Sequence, residues 1–180
     1  MAQHSVLVDM AERLRVALAD TAQDTTDRSA STVGLQRLSG GANMETWSFD
    51  LVTAGATEPL ILRRLPGAAA AVDSTAEQTV GGELSLVDEA ALLTIAGRHG
   101  VPVPTVRLVL SGEHALGQGY IMSREEGEAL PFRLLADERY RSAREKLAFQ
   151  CGQTLGRIHQ IPVLVLPTGL ADHSGALLFQ

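Results

Sequence analysis

The chain has 180 residues, 45% of them apolar, with 21 acidic against 15 basic side chains and a net charge of −6. That length suits one domain with a short companion, and a mean hydropathy of +0.08 with 20% charged residues belongs to neither a disordered nor a membrane-embedded chain. The acidic balance disfavours a general nucleic-acid binder, which needs a basic surface to displace counterions.

Residues 5–20 place Leu7, Met10, Leu14, Ala17 and Leu18 at helical spacing, with Glu12, Arg13 and Arg15 mostly opposite, and so predict an amphipathic helix. The same N-terminus has no basic segment followed by an apolar core, so no secretory signal is predicted. Nor does any apolar run approach the length of a transmembrane helix. The polar stretch 21–32 reads as a linker.

From Thr32 the period changes to that of strands. Val33, Leu35 and Leu38 form a first strand, ended by Ser39-Gly40-Gly41. Met44 to Val52 alternates, with Trp47, Phe49 and Leu51 on one face and Thr46, Ser48 and Asp50 on the other. After a turn at 53–59, Leu60 to Arg64 is a third strand, so these three predict an antiparallel meander. The alanine-rich stretch 68–82 carries no clear pattern. Residues 83–99 predict a helix closed by Gly100, and Thr105–Leu110 and Tyr120–Arg124 two more strands around a polar turn. A helical region then leads into a long helix from Asp137 to Gln160, stopped at Pro162. The last residues are unusually apolar, with Leu177, Leu178 and Phe179 at the end.

Several residues stand out chemically. Gly40-Gly41 between two strands could expose backbone N–H groups as an anion-binding nest, or could simply make the hairpin turn. A P-loop is excluded, because the only lysine in the chain is Lys146. In the third strand Arg63 and Arg64 point to opposite faces, so one of them should turn inward and need an anionic partner. On the next helix Asp88 and Glu89 lie on adjacent stripes, and the pattern barely separates them. The strand 120–124 runs into an acidic connector that could offer backbone groups to a base edge. The five histidines and the lone Cys151 show no metal-ligand spacing. Cys151, near Phe149 and Leu155, reads as a core residue, and a single cysteine fits a reducing, cytoplasmic setting.

Glycine-rich hairpin, cation in the third strand, carboxylate on the next helix: these segments together resemble the aminoglycoside phosphotransferase family. The resemblance runs from about Leu38 to Pro162 through QRLSGGANMETWSFDL, LILRRLPG, the VPVP loop, GYIMSREEGE and LGRIHQ. It is nearest to the branch associated with acyl-CoA dehydrogenases, in which arginine replaces the third-strand lysine. The implied fold is α+β: a protein-kinase-like N-terminal lobe of five antiparallel strands plus a helix, with an N-terminal helix and the first helices of a C-terminal lobe. The implied organisation is a helix and linker at 1–31, the N-lobe at 32–122, and a hinge with an incomplete C-lobe at 123–180.

The resemblance implies an ATP-dependent kinase of small molecules. Arg63 would contact the α/β-phosphates and Glu89 would orient it, while Gly40 and Gly41 would cover the phosphates. Backbone groups of Ser123 and Glu125 would meet adenine, with Met122 at the back of the pocket. The implied ligands are ATP, Mg2+ and a hydroxyl acceptor, with no nucleic acid or membrane partner. The family's HGDxxxxN catalytic loop and its later metal-binding aspartate are absent from this sequence. No catalytic residue and no metal ligand is therefore assigned here, and the chain alone is expected to be inactive. Two alternatives stand beside this reading: a non-catalytic nucleotide-binding or protein-interaction module, and a small ligand-binding α+β domain whose glycines only make a turn.

Overall fold

The computed structural model describes residues 2–21, 30–38, 44–65, 84–168 and 170. Its elements are α1 (Ala2–Thr21), β1 (Ser31–Leu38), β2 (Glu45–Val52), β3 (Thr57–Arg64), α2 (Leu86–Arg98), β4 (Val106–Val109), β5 (Gly119–Ser123), α3 (Pro131–Ala136) and α4 (Arg141–His159). Short 3-10 turns lie at Gly112–His114, Glu138–Tyr140 and Val163–Val165. The five strands make one sheet in the order β1-β2-β3-β5-β4, with every neighbouring pair antiparallel. This α+β arrangement is that of a kinase-like N-lobe.

Alternation along the strands divides the core in two. Phe49 and Leu51 of β2, Leu60 and Leu62 of β3 and Ile121 of β5 face α1, where they bury Met10, Leu14, Ala17 and Leu18. The opposite face packs Tyr120 against Leu86 and Ala90 of α2, with Met122 and Val106 beside them. The N-terminal helix is therefore part of the main core, because its apolar stripe is covered by the sheet. Both sheet faces being covered explains how the two adjacent arginines of β3 can each find a protein partner.

Element boundaries differ from the sequence reading where local hydrogen bonds intervene. β3 begins at Thr57 rather than Leu60, since Glu58 and Pro59 already pair with Leu51 and Asp50. α2 begins only after Ser85, whose hydroxyl accepts from the Asp88 N–H at 3.1 Å. It closes before Gly100, which takes a left-handed φ of 73°. α4 starts at Arg141, not Asp137: the Asp137 carboxylate accepts from the Arg139 N–H at 2.9 Å and opens a 3-10 turn instead. β1 carries a register shift between Val33 and Gln36, where Gly34 has a φ of 66°.

α3, α4 and the turn after them are thinly covered. Phe132, Leu135, Leu147, Phe149, Leu155 and Leu164 are all exposed. Cys151 is exposed as well. The expectation of a core cysteine is thus corrected: helical spacing with Phe149 and Leu155 placed it on an apolar face, but nothing among the described residues covers that face. The stretch 68–82 and the apolar residues Leu177, Leu178 and Phe179 lie outside the described residues.

Candidate functional site

The face of the sheet under α2 is ordered in transverse rows. Leu38 pairs with Thr46, Thr46 with Arg63, and Arg63 with Tyr120. One step along, Gln36 pairs with Ser48, Ser48 with Ile61, and Ile61 with Met122. Cross-strand partners share a face, so Arg63, Tyr120, Ile61 and Met122 all look the same way. β1 ends at Leu38, in the same row as Arg63. Gly40 and Gly41, in the link from β1 to β2, lie outside the described residues.

Arg63 meets Glu89 of α2, with its Nε donating to Oε2 at 3.3 Å. Of the two candidate acids, Asp88 is held at the helix start by the Ser85 hydroxyl, which donates to its Oδ2 at 2.8 Å. Glu89, one residue on, is rotated by about 100° and reaches β3. Both members of the pair keep about a third of their side-chain surface in water, at 35% and 32%. Among the described residues no hydrogen bond engages either Nη of Arg63. The guanidinium is thus oriented by a carboxylate and retains donors for an anion.

Tyr120 is 1% exposed and stands opposite Arg63 in the ladder. Its burial, and then the nearby Glu89 carboxylate, push the phenol well above its ordinary ionisation range, with Arg63 pulling the other way. The hydroxyl therefore stays protonated.

At the far end of the same face, the end of β5 and the connector after it are fastened from several sides. The Ser123 N–H donates to the Thr105 carbonyl at 2.9 Å, and its hydroxyl donates to the Glu125 carboxylate at 2.7 Å. Arg124 reaches across β3 to β2, donating to the Ser48 hydroxyl at 2.9 Å and forming an ion pair with the Asp50 carboxylate at 2.9 Å. The Glu125 N–H has no partner among the described residues. Met122 lies half-buried against the α2 cluster.

Arg63, Glu89 and Met122 therefore share one face of the sheet, with Ser123 and Glu125 at the end of β5 and just past it. Three participants were not singled out in the sequence. Tyr120 was legible in principle, since β5 alternation puts it on the face of Met122. Arg124 was hidden in an acidic connector. Glu45 gave no signal, because its partners come from three separate positions.

Arg64 is the opposite arginine, and its role is structural. Its Nε and Nη2 each approach the Glu45 carboxylate at 2.9 Å, and Nη1 donates to the Leu116 carbonyl at 3.1 Å. Glu45 also accepts from Trp47 Nε1 at 3.3 Å and lies 3.7 Å from Arg37. Both side chains of the main pair are only 13% exposed, so removing one leaves the other charge poorly solvated. Glu45→Ala is expected to cost about 2 kcal/mol. A lowered urea midpoint with an unchanged m-value would show it.

The fold defines a class: a kinase-like N-lobe, here with an arginine–glutamate pair on the sheet face under α2. The family model described as "Phosphotransferase enzyme family" matches residues 34–177, and the chain belongs to that family. No curated protein and no solved structure matches it. Among the described residues no helix is long and apolar enough to cross a membrane, and no three His, Cys, Asp or Glu side chains are grouped to hold a metal.

Proposed function

We propose that this chain is the ATP-binding part of an ATP-dependent small-molecule O-phosphotransferase, working in the cytoplasm. The observation that carries the reading is the Arg63–Glu89 pair, set beneath α2 in the row where β1 ends at Leu38. In this reading Arg63 binds the α/β-phosphates, Glu89 aims it, and Gly40 and Gly41 close over them. Ile61 and Met122 floor the base pocket, and backbone groups of Ser123 and Glu125 meet the adenine edge. Arginine in place of lysine keeps the charge and adds a planar fork suited to two phosphate oxygens.

Residues 1–31 and 32–122 form the N-terminal part in this proposal, and 123–180 the hinge and the start of a C-lobe. The exposed apolar side chains of α3 and α4 support further polypeptide packing on them. That remainder would bring the hydroxyl acceptor, the catalytic base and the ligands of Mg2+. The magnesium ion would neutralise charge on the transferring phosphoryl group. No three-donor set among the described residues fits it, so no step here runs through it. The arginine in the clamp favours the branch associated with acyl-CoA dehydrogenases.

The test is a calorimetric titration of the 180-residue chain with ATP, followed by a phosphotransfer assay with magnesium. Binding without turnover is expected. Magnesium-dependent turnover at ordinary kinase rates would reject the assignment of the catalytic groups to a missing lobe. Absence of ATP binding would reject the nucleotide site itself.

A further inference from the structure

We propose that Arg124 is a strap across the outer end of the base pocket: a positioning residue that ties the connector after β5 to β2 and so fixes the slot in which the nucleobase is held. The inference deepens the nucleotide-binding reading above and rests on it for its purpose. Its physical content is a set of contacts between β2, β3 and the connector.

Alternation along β5 and just past it puts Tyr120, Met122 and Arg124 on the α2 face of the sheet. β3 lies between β5 and β2, so the Arg124 side chain has to span two strand spacings, about 10 Å, to touch β2. It does so from an anchored backbone, with the Arg124 N–H donating to the Pro59 carbonyl at 3.0 Å. Nη1 donates to the Ser48 hydroxyl at 2.9 Å, and Nη2 lies 2.9 Å from Asp50 Oδ1. Asp50 is the ladder partner of Pro59, and Ser48 that of Ile61. The side chain thus crosses β3 at Pro59, and its guanidinium ends beside the Ile61 row, which floors the base pocket in this reading.

These contacts are those of a built strut rather than of a solvated arginine. The Arg124 and Asp50 side chains are 29% and 31% exposed. Asp50 Oδ1 itself is buried, and among the described residues no hydrogen bond reaches it, so the guanidinium beside it is what offsets its charge. Glu126 approaches Nε only to 3.9 Å, is 91% exposed and adds little. On the other side of the connector, Ser123 exchanges two bonds with Thr105: its N–H donates to the Thr105 carbonyl and its hydroxyl accepts from the Thr105 N–H, each at 2.9 Å. The segment whose backbone groups meet the base edge is therefore held toward β4 by Thr105 and toward β2 by Arg124. Without the second hold, the Glu125 N–H loses its fixed distance from the floor made by Ile61 and Met122.

The experiment compares the full chain with Arg124→Met, which keeps an apolar stem over Pro59 and removes the guanidinium. By NMR without nucleotide, the Arg124 amide is expected to exchange about tenfold faster in the variant, with the rest of the amide spectrum still that of the folded chain. Asp50→Asn should act in the same direction and add little in the Arg124→Met background, because both work through one contact. By calorimetry, Arg124→Met should bind ATP about three- to tenfold more weakly. That loss should add to the loss from Arg63→Ala, since the two residues serve different ends of the nucleotide. A folded Arg124→Met chain with unchanged Arg124 amide exchange would overturn the proposal. So would wild-type affinity for ATP in that variant, which would reduce the arginine to a stabilising contact. Should Arg124→Met fail to fold, Ser48→Ala combined with Asp50→Asn removes the same contacts from the β2 side, and wild-type exchange and affinity there would overturn it equally. Exchange is read without nucleotide, so its failure is distinct from that of the nucleotide reading, in which wild type would not bind ATP.

Discussion

Arg63→Ala is expected to weaken ATP binding by tenfold to a hundredfold while leaving the chain folded. The guanidinium is about a third exposed, so its loss opens no cavity in the core. What it removes are charge-assisted hydrogen bonds to phosphate, worth about 1.5–3 kcal/mol, and every 1.4 kcal/mol is about tenfold in affinity. It also leaves Glu89 uncompensated beside an incoming polyanion, which adds repulsion. Arg63→Lys should fall between the two, because an ammonium keeps the charge and loses the planar fork. Calorimetry with ATP measures all three, and Arg64→Ala is the informative contrast. Arg64 faces α1 and the Leu116 carbonyl, so its loss should lower stability, with nucleotide affinity unchanged in the molecules that remain folded. If Arg63→Ala bound ATP as wild type does, the clamp would be wrongly placed.

Gly119→Ala should be strongly destabilising, because Gly119 is buried at the start of β5. A Cβ at that position would lie 2.3 Å from the Arg63 carbonyl oxygen and 2.8 Å from the Arg64 Cβ. Those obstacles are backbone and near-backbone atoms of the central strand β3, which is pinned by β2 on one side and β5 on the other. Neither strand can retreat without breaking ladder hydrogen bonds, so the methyl forces a local distortion. The expected cost is about 3 kcal/mol, at the upper end of overpacking effects. Gly127→Ala is the control, since a Cβ there meets nothing within 4 Å and the effect should stay near zero. Urea unfolding of the two variants compares them directly. The distortion would fall on Arg63 itself, so Gly119→Ala should also impair nucleotide binding in the molecules that remain folded.

The order of elements was legible because each carries its own periodicity. β2 alternates so regularly that the sheet faces of Trp47, Phe49 and Leu51 follow from spacing alone, and α1 shows its stripe at Met10, Leu14 and Ala17/Leu18. The third-strand arginine and the following carboxylate were also visible as residue types in order. Their choice was not. Asp88 and Glu89 differ by one helical step, and Arg63 and Arg64 by one strand step. What separates the acids is a serine cap that occupies Asp88; what separates the arginines is which face each partner occupies. Cys151 failed as a core prediction for a related reason. Helical spacing identifies an apolar face, and whether anything covers that face depends on the rest of the fold.

By itself, then, the sequence determined the strand and helix order, the position of the glycine hairpin before β2, and the resemblance to phosphotransferases. Periodicity and turn chemistry are local, and a local code is complete within a dozen residues. Only the tertiary structure decided that Arg63 rather than Arg64 meets Glu89, that Tyr120 stands opposite Arg63 in the ladder, and that a side chain at Gly119 would run into β3. Those are distances between segments 26 or more residues apart in the case of the ion pair. They depend on register and on the packing of α2 over the sheet, which no single stretch of chain encodes. Of the 15 basic side chains in this acidic chain, it is the fold that decides which of the two β3 arginines faces α2.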